Sequence, residues 1–203
     1  LLPQWSPDGR TILYYTFYAN GQFDVMRVNI DTHVRTNLSP ATPDSSETHP
    51  VWSPDGKLIT FISDRDDNDE LYIMSQDGSN VLRLTETPNA KEEDACWSPD
   101  SPLIAYISDA DGDTEIYFVR PDGTDLRQGT VNEAEDGVVA WSPDGRKILF
   151  VSDRTGNTDI YLLELDCVGS AEGCEGKAVN LTQNAASDSL PAWSPDGSRI
   201  AFV

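Results

Sequence analysis

Trp52-Ser53-Pro54-Asp55-Gly56 decides the fold of this chain, because each of its five tryptophans opens the same pentad. The copies occupy residues 5–9, 52–56, 97–101, 141–145 and 193–197, with Ser101 in place of the final glycine in the third. Successive tryptophans are 44 to 52 residues apart. A repeat of this length predicts a β-propeller in which each blade is a sheet of four short strands.

Further positions repeat with the pentad and predict the strands of each blade. Seven residues after every tryptophan stands an isoleucine, and nine residues after it an aromatic residue. An acid, an apolar residue and a large residue begin a later strand, as in Glu70-Leu71-Tyr72. Pro-Asp-Gly supplies the fixed and positive φ angles of a tight turn. We therefore expect strand a to end at the tryptophan, strand b to follow the turn, and strands c and d to complete an all-β blade.

The predicted blades occupy residues 1–46, 47–91, 92–135 and 136–187, and residues 188–203 form half of a fifth. We expect the chain to be a fragment of a larger ring, six-bladed or similar. The alternative is that the propeller closes imperfectly and exposes an unpaired blade edge, which would permit association between copies of the chain.

The motifs resemble the TolB-like propeller repeat family, whose consensus continues from the pentad through Ser-Asp-Arg, Glu-Ile-Tyr, Asp-Gly and Arg-Leu-Thr. Residues 52–85 and 141–182 follow it most closely, whereas residues 16–18 replace Ser-Asp-Arg and residues 128–130 replace Arg-Leu-Thr. The resemblance implies a non-catalytic, extracytoplasmic binding or scaffold module for a protein or peptide. It also permits a substrate-gating propeller of a prolyl-oligopeptidase-like hydrolase, or a polysaccharide lyase, whose catalytic part lies elsewhere.

The net charge of the chain favours some classes of partner over others. The chain has 35 acids against 14 bases and a net charge of −21. Such a surface repels phosphate backbones, so nucleic acid is excluded as a partner. The acids predict either a well-solvated surface or attraction of cations or a basic partner.

The three cysteines fall into two classes. Cys96 directly precedes a repeat tryptophan, where we expect a buried thiol. Cys167 and Cys174 flank an insertion in the fourth repeat and predict a disulfide, with a metal pair as the alternative. A disulfide would indicate an oxidising, extracytoplasmic compartment.

Known catalytic patterns are missing from the sequence. There are two histidines, His33 and His49, and no Gly-x-Ser-x-Gly, His-Glu-x-x-His or phosphate-loop motif. We therefore expect no catalysis by this chain and no transmembrane segment.

One acidic turn suggests calcium. Asp109, Asp111, Asp113 and Glu115 place carboxylates at alternate positions, and hard oxygen ligands suit Ca²⁺. The EF-hand pattern is not met, because Thr114 and Arg120 stand where its glycine and its final glutamate belong. The alternative is a plain hairpin between strands b and c.

A second acidic set follows the repeat. Five residues before each internal tryptophan stands a carboxylate: Glu47, Glu92, Asp136 and Asp188. With His49 and Asp94 nearby, these acids are predicted to surround the mouth of the propeller channel and to bind a cation or a basic ligand. The alternative is that each acid caps its own turn.

Overall fold

The computed structural model describes residues 3–40, 45–100, 102–165 and 177–203, except the side chain of Val138. Eighteen strands in these ranges form four four-stranded sheets and one two-stranded sheet. Within each sheet the strands stand side by side in sequence order. Blades with strands in the order a, b, c and d confirm the predicted all-β propeller class.

The strand bounds follow the repeat. The first sheet contains β1 (Gln4–Trp5), β2 (Thr11–Phe17), β3 (Phe23–Asn29) and β4 (Arg35–Asn37). The second contains β5 (Glu47–Trp52), β6 (Leu58–Ser63), β7 (Glu70–Ser75) and β8 (Leu82–Arg83). The third contains β9 (Glu92–Trp97), β10 (Ile104–Ser108), β11 (Glu115–Val119) and β12 (Arg127–Gln128). The fourth contains β13 (Asp136–Trp141), β14 (Lys147–Ser152), β15 (Asp159–Glu164) and β16 (Val179–Asn180), and the fifth β17 (Ala192–Trp193) and β18 (Ile200–Ala201).

The pentad forms a locked turn between strands a and b. The Ser53 hydroxyl donates a 2.8 Å hydrogen bond to Oδ1 of Asp55 and accepts one from the backbone N–H of Leu58 at 2.9 Å. Gly56 has a φ of 70° and donates to the Ser53 carbonyl. Hydrogen bonds from Ser53 and from the backbone of Lys57 lower the pKa of Asp55. The same serine-to-aspartate bond forms in three other copies, at residues 6–8, 142–144 and 194–196.

Two compact units divide the chain, residues 1–95 and 96–203, and each has its own core. Strands b and c contribute most of the buried apolar side chains in the first core and all of those in the second. The first core contains Leu13, Val25, Leu38, Trp52, Ile59, Phe61, Tyr72 and Met74. The second contains Ala105, Ile116, Phe118, Ile148, Phe150, Tyr161 and Leu163.

Repeat tryptophans also tie one strand a to the preceding one. The Nε1–H group of Trp141 donates to the Cys96 carbonyl at 3.2 Å, and that of Trp193 donates to the Ala140 carbonyl at 3.1 Å. Trp52 is 7% exposed, and its Nε1 has no hydrogen-bond partner among the described residues. The indole therefore serves both packing and hydrogen bonding, but not in every copy.

Within the described ranges, no helix has the length and apolar character needed to cross a membrane.

Candidate functional site

The four carboxylates that precede the internal tryptophans by five residues are buried. Their exposed fractions are 0% for Glu47 and Glu92, 1% for Asp136 and 7% for Asp188. Burial of a carboxylate is costly unless hydrogen bonds or an opposite charge compensate it. The hydrogen-bond and ion-pair partners of these four acids therefore indicate their role.

An arginine from the end of strand b compensates two of these acids. Arg65 donates to Glu47 at 3.2 Å, and Arg154 donates to both oxygens of Asp136, at 3.1 and 2.8 Å. The Arg65 guanidinium carbon lies 4.7 Å from the centre of the Tyr72 ring. Arg154 lies over the Phe150 and Tyr161 rings in the same way. The Ser-Asp-Arg motif thus provides a cation for the acid that begins strand a of its own blade.

Side chains in the connections from strand d to strand a provide further hydrogen bonds. The Thr87 hydroxyl donates to Glu92 at 2.6 Å, and Asn184 donates to Asp188 at 2.7 Å. Both donors are side chains rather than backbone N–H groups of the turn. A ligand-binding role for the four acids stays a prediction.

A second set of buried acids begins strand c. Glu70 is fully buried and accepts hydrogen bonds from Thr85 at 2.6 Å, from the Thr87 backbone at 2.9 Å and from Arg83 at 2.5 Å. Burial raises the pKa of Glu70, but these hydrogen bonds outweigh it and hold the pKa below its ordinary value. In the fourth blade, Asp159 accepts a comparable set from Thr155, Asn180 and Thr182.

Glu115 occupies the same position in the third blade but forms no ion pair among the described residues. It accepts hydrogen bonds from the backbone and the side chain of Asn132, at 2.6 and 3.2 Å. The same Asn132 amide donates to Asp136 at 3.0 Å. Burial, with a further contribution from the Asp136 charge, raises the pKa of Glu115 to about 8. Burial therefore favours the protonated form of this carboxyl at neutral pH.

His49 and Asp94 stand apart from the buried acids, because both are exposed. Their φ angles are 48° and 47°, and Leu190, at the same distance before its tryptophan, has a φ of 53°. The strand pairing is irregular at His49, where the register shifts between Thr48 and Val51. A bulge of this kind turns a side chain away from the alternation of the strand. Sequence analysis did not predict this shared backbone conformation, because the three residues have no side-chain type in common.

The calcium site expected in the turn between β10 and β11 stays a prediction. Among the residues that the structure describes, no group of three or more His, Cys, Asp or Glu could hold a metal ion. Burial and the charges of Asp111, Glu135, Asp136 and Glu133 raise the pKa of Asp113. Asp111 instead accepts a hydrogen bond from Gln128 at 2.5 Å.

The structure corrects the predicted burial of one cysteine. Cys96 carries a thiol, as expected, but it is partly rather than fully buried and packs at the margin of the second core. Cys167 and Cys174 lie outside the described residues, so their disulfide stays a prediction.

Sequence analysis did not predict two grooves that lie between consecutive pentad turns. The first groove lies between the turns of residues 6–9 and 53–56 and has a volume of about 200 Å³. The second groove lies between the turns of residues 142–145 and 194–197 and has a volume of about 400 Å³. Both are lined by a serine, a proline and an aspartate of one turn and by the tryptophan, aspartate and glycine of the next.

Comparison with curated proteins gives a partial match. The uncharacterized peptidase YuxL of Bacillus subtilis strain 168 is 36% identical over 88 residues, which are 41% of this chain and 13% of that relative. The matched segment is thus a small part of the relative.

Solved structures match over nearly the whole chain. The putative TolB from Agrobacterium tumefaciens has a TM-score of 0.75 and 25% identity, over 98% of this chain and 68% of that one. An oligogalacturonate lyase from Vibrio parahaemolyticus has a TM-score of 0.74 and 16% identity, over 98% of this chain and 61% of that one. The lyase likeness concerns the fold alone.

The family comparison covers most of the sequence. The model of the TolB beta propeller domain matches residues 1–138 and 96–174. The chain therefore belongs to the TolB beta propeller domain family.

Proposed function

We propose that this chain is a non-catalytic, extracytoplasmic module that binds a protein or peptide partner. The observation that carries the proposal is the burial of the repeated carboxylates. Glu47, Glu70 and Asp136 pair with arginines inside their blades, so they hold strands together. The exposed turns and the grooves between them are then the surface that a partner can reach.

Location is tested through the cysteines and by fractionation. In the full-length protein, we expect release with the periplasmic or secreted fraction and, without reduction, alkylation of Cys96 but not of Cys167 or Cys174. Mass spectrometry should then find Cys167 and Cys174 joined. Retention in the cytoplasmic fraction with Cys96, Cys167 and Cys174 all alkylated would contradict the proposed location.

Binding is tested by site-specific crosslinking. A photoreactive amino acid at exposed Asp94 of the full-length protein should yield a discrete crosslinked species that mass spectrometry identifies as one protein. The same group at Lys177, in the connection that precedes β16, serves as a matched exposed control. Equal labelling of many proteins from both positions would contradict a specific partner.

A second candidate is the substrate-gating propeller of a larger peptidase, and the 36% identity to the segment of YuxL favours it. The full-length protein would then hydrolyse dipeptide anilides and react with a serine-directed phosphonate. Hydrolysis that is abolished by the phosphonate would support the gating propeller and contradict the non-catalytic binding module.

A further inference from the structure

The turn between β2 and β3 contains the one Asn-Gly dipeptide of the sequence, Asn20-Gly21. The Gly21 N–H donates to the Tyr18 carbonyl at 3.0 Å, and the Tyr18 N–H donates to the Gln22 carbonyl at 2.8 Å. Gly21 has a φ of 92°, as a type I turn followed by a left-handed residue requires. Residues 17–21 are exposed, so solvent reaches both residues of the dipeptide.

The turns between β6 and β7, between β10 and β11 and between β14 and β15 have the same geometry. The N–H that closes each turn belongs to Asp67, Gly112 or Gly156, and each of these residues has a positive φ. The preceding residue is Asp66, Asp111 or Thr155. Of these four turns, the first alone places an asparagine side chain beside a glycine N–H.

An asparagine that precedes a glycine can react with the backbone. The nitrogen of Gly21, after losing its proton to hydroxide, would attack Cγ of Asn20, and the side-chain nitrogen, protonated by water, would leave as ammonia. The product is a cyclic succinimide. Water then breaks one of its two ring C–N bonds and leaves either aspartate or isoaspartate. Glycine favours this attack because it has no Cβ to obstruct the nitrogen.

The contacts of Asn20 also favour the attack. The backbone N–H of Gln22 donates to Oδ1 of Asn20 at 3.3 Å, which polarises the carbonyl and would stabilise the oxyanion that forms on it. A Cβ built on Gly21 would meet no atom of a non-adjacent described residue within 4 Å, so the attacking nitrogen has open space around it. The hydrogen bond from Gly21 to Tyr18 opposes the reaction. Because this bond lies in an exposed turn, local opening can release the nitrogen.

The product would change a surface that has no charged side chain. Residues 15–23 include four aromatic residues and neither an acid nor a base. The Phe17 and Phe23 rings, which lie 5.0 Å apart, close the strand pairing next to the turn. Both products add a negative charge beside these rings. Isoaspartate also adds a backbone carbon, which disturbs the turn that Gly21 closes.

We propose that Asn20 is a site of spontaneous modification, at which attack by the Gly21 nitrogen converts the asparagine into aspartate and isoaspartate. The modification places a charge on the exposed aromatic hairpin of the first blade as the protein ages. It does not depend on the proposed binding function.

Incubation of the full-length protein at pH 8 and 37 °C, followed by digestion at acidic pH and mass spectrometry, tests the proposal. The peptide that contains Asn20 should gain the mass difference between an amide and a carboxyl group. Part of it should also accept a methyl group from protein isoaspartate methyltransferase. The peptide that contains Asn157 is the internal control, since Asn157 lies in the equivalent turn of the fourth blade but precedes Thr158. It should change more slowly, by about tenfold or more.

Loss of the Asn20 amide no faster than that of Asn157 would overturn the proposal. So would a product that is aspartate alone, because direct hydrolysis of the side chain yields aspartate whereas ring opening also yields isoaspartate.

Asn20→Thr provides a matched variant, because it copies the Thr155-Gly156 sequence of the fourth blade. The variant should keep the turn and the fold, and its methyl acceptance after incubation should fall well below that of the parent. Methyl acceptance equal to that of the parent would show that isoaspartate forms elsewhere in the chain and would overturn the proposal. The comparison of Asn20 with Asn157 within the parent remains decisive if the variant does not fold.

Discussion

Among single residues, Glu115 and Glu70 show how the absence of one neighbouring cation changes the pKa of a buried carboxyl. Both begin a strand c and are fully buried, but Glu70 pairs with Arg83 whereas Gln128 occupies the equivalent of Arg83 in the third blade. Hydrogen bonds lower the pKa of Glu70, and burial raises that of Glu115 to about 8. The two residues therefore make stability depend on pH in opposite directions.

Glu115→Gln tests this difference. The folded protein keeps Glu115 protonated up to about pH 8, whereas the unfolded chain releases this proton near the ordinary value of 4.5. The free energy of unfolding should therefore fall as pH rises between these values, by an amount on the order of a few kcal/mol. Urea denaturation at pH 5 and 8 should show this fall in the parent and a smaller one in the variant. Equal slopes would contradict a protonated Glu115.

Glu70→Gln is the matched control. Because the folded pKa of Glu70 is lowered, its contribution is present at neutral pH and is lost as pH falls below 4.5. The variant should be less stable than the parent at pH 7, and the difference should shrink below pH 4.

Two tryptophans allow the indole hydrogen bond to be measured. Trp141 donates to the Cys96 carbonyl, whereas Nε1 of Trp52 has no partner among the described residues. Both Trp→Phe changes remove the same volume, but Trp141→Phe also leaves a carbonyl without its donor. We expect it to cost about 1 kcal/mol more than Trp52→Phe in urea denaturation. A larger loss at Trp52 would show that packing outweighs the hydrogen bond.

At the level of strands, the charge of the residue at the end of strand d affects the pKa of the acid at the start of strand c. Gln128→Arg should place a guanidinium beside Glu115 and Asp111, as Arg83 lies beside Glu70 and Asp66. The variant should show a smaller loss of stability between pH 5 and 8 than the parent, in the same urea series.

Arg83→Gln makes the reverse change in the second blade. Removing one partner of a buried pair leaves the other charge uncompensated, and the partial exposure of Arg83 reduces the cost to about 1 to 3 kcal/mol at pH 7. An unchanged stability at pH 7 would show that the hydroxyls of Thr85 and Thr87 suffice for Glu70.

Sequence alone predicted the strands well, because the pentad fixes where strand a ends and strand b begins. The bulges could not be predicted, since His49, Asp94 and Leu190 share a backbone conformation and no side-chain chemistry. The burial of Glu47 was also missed, because its cation, Arg65, lies 18 residues later in the sequence. The repeat of Ser-Asp-Arg was the available signal for that pair.

For the whole molecule, a net charge of −21 predicts self-repulsion that salt screens. The melting temperature should rise when sodium chloride is increased from low to physiological ionic strength. Because no metal-holding group occurs among the described residues, Ca²⁺ and Mg²⁺ should then act equally at matched ionic strength. A stabilisation specific to Ca²⁺ would instead support the calcium site predicted from the acidic turn.

The tryptophan-to-carbonyl bonds bear on how proteins of this kind change during evolution. Trp141 and Trp193 each recognise a backbone carbonyl of the strand before, at Cys96 and Ala140, and a carbonyl is present whatever the side chain. A gene duplication or deletion of one whole repeat would therefore regenerate the same junction without any compensating substitution. At these two junctions, the side chains at positions 96 and 140 can therefore change without loss of the tryptophan hydrogen bond.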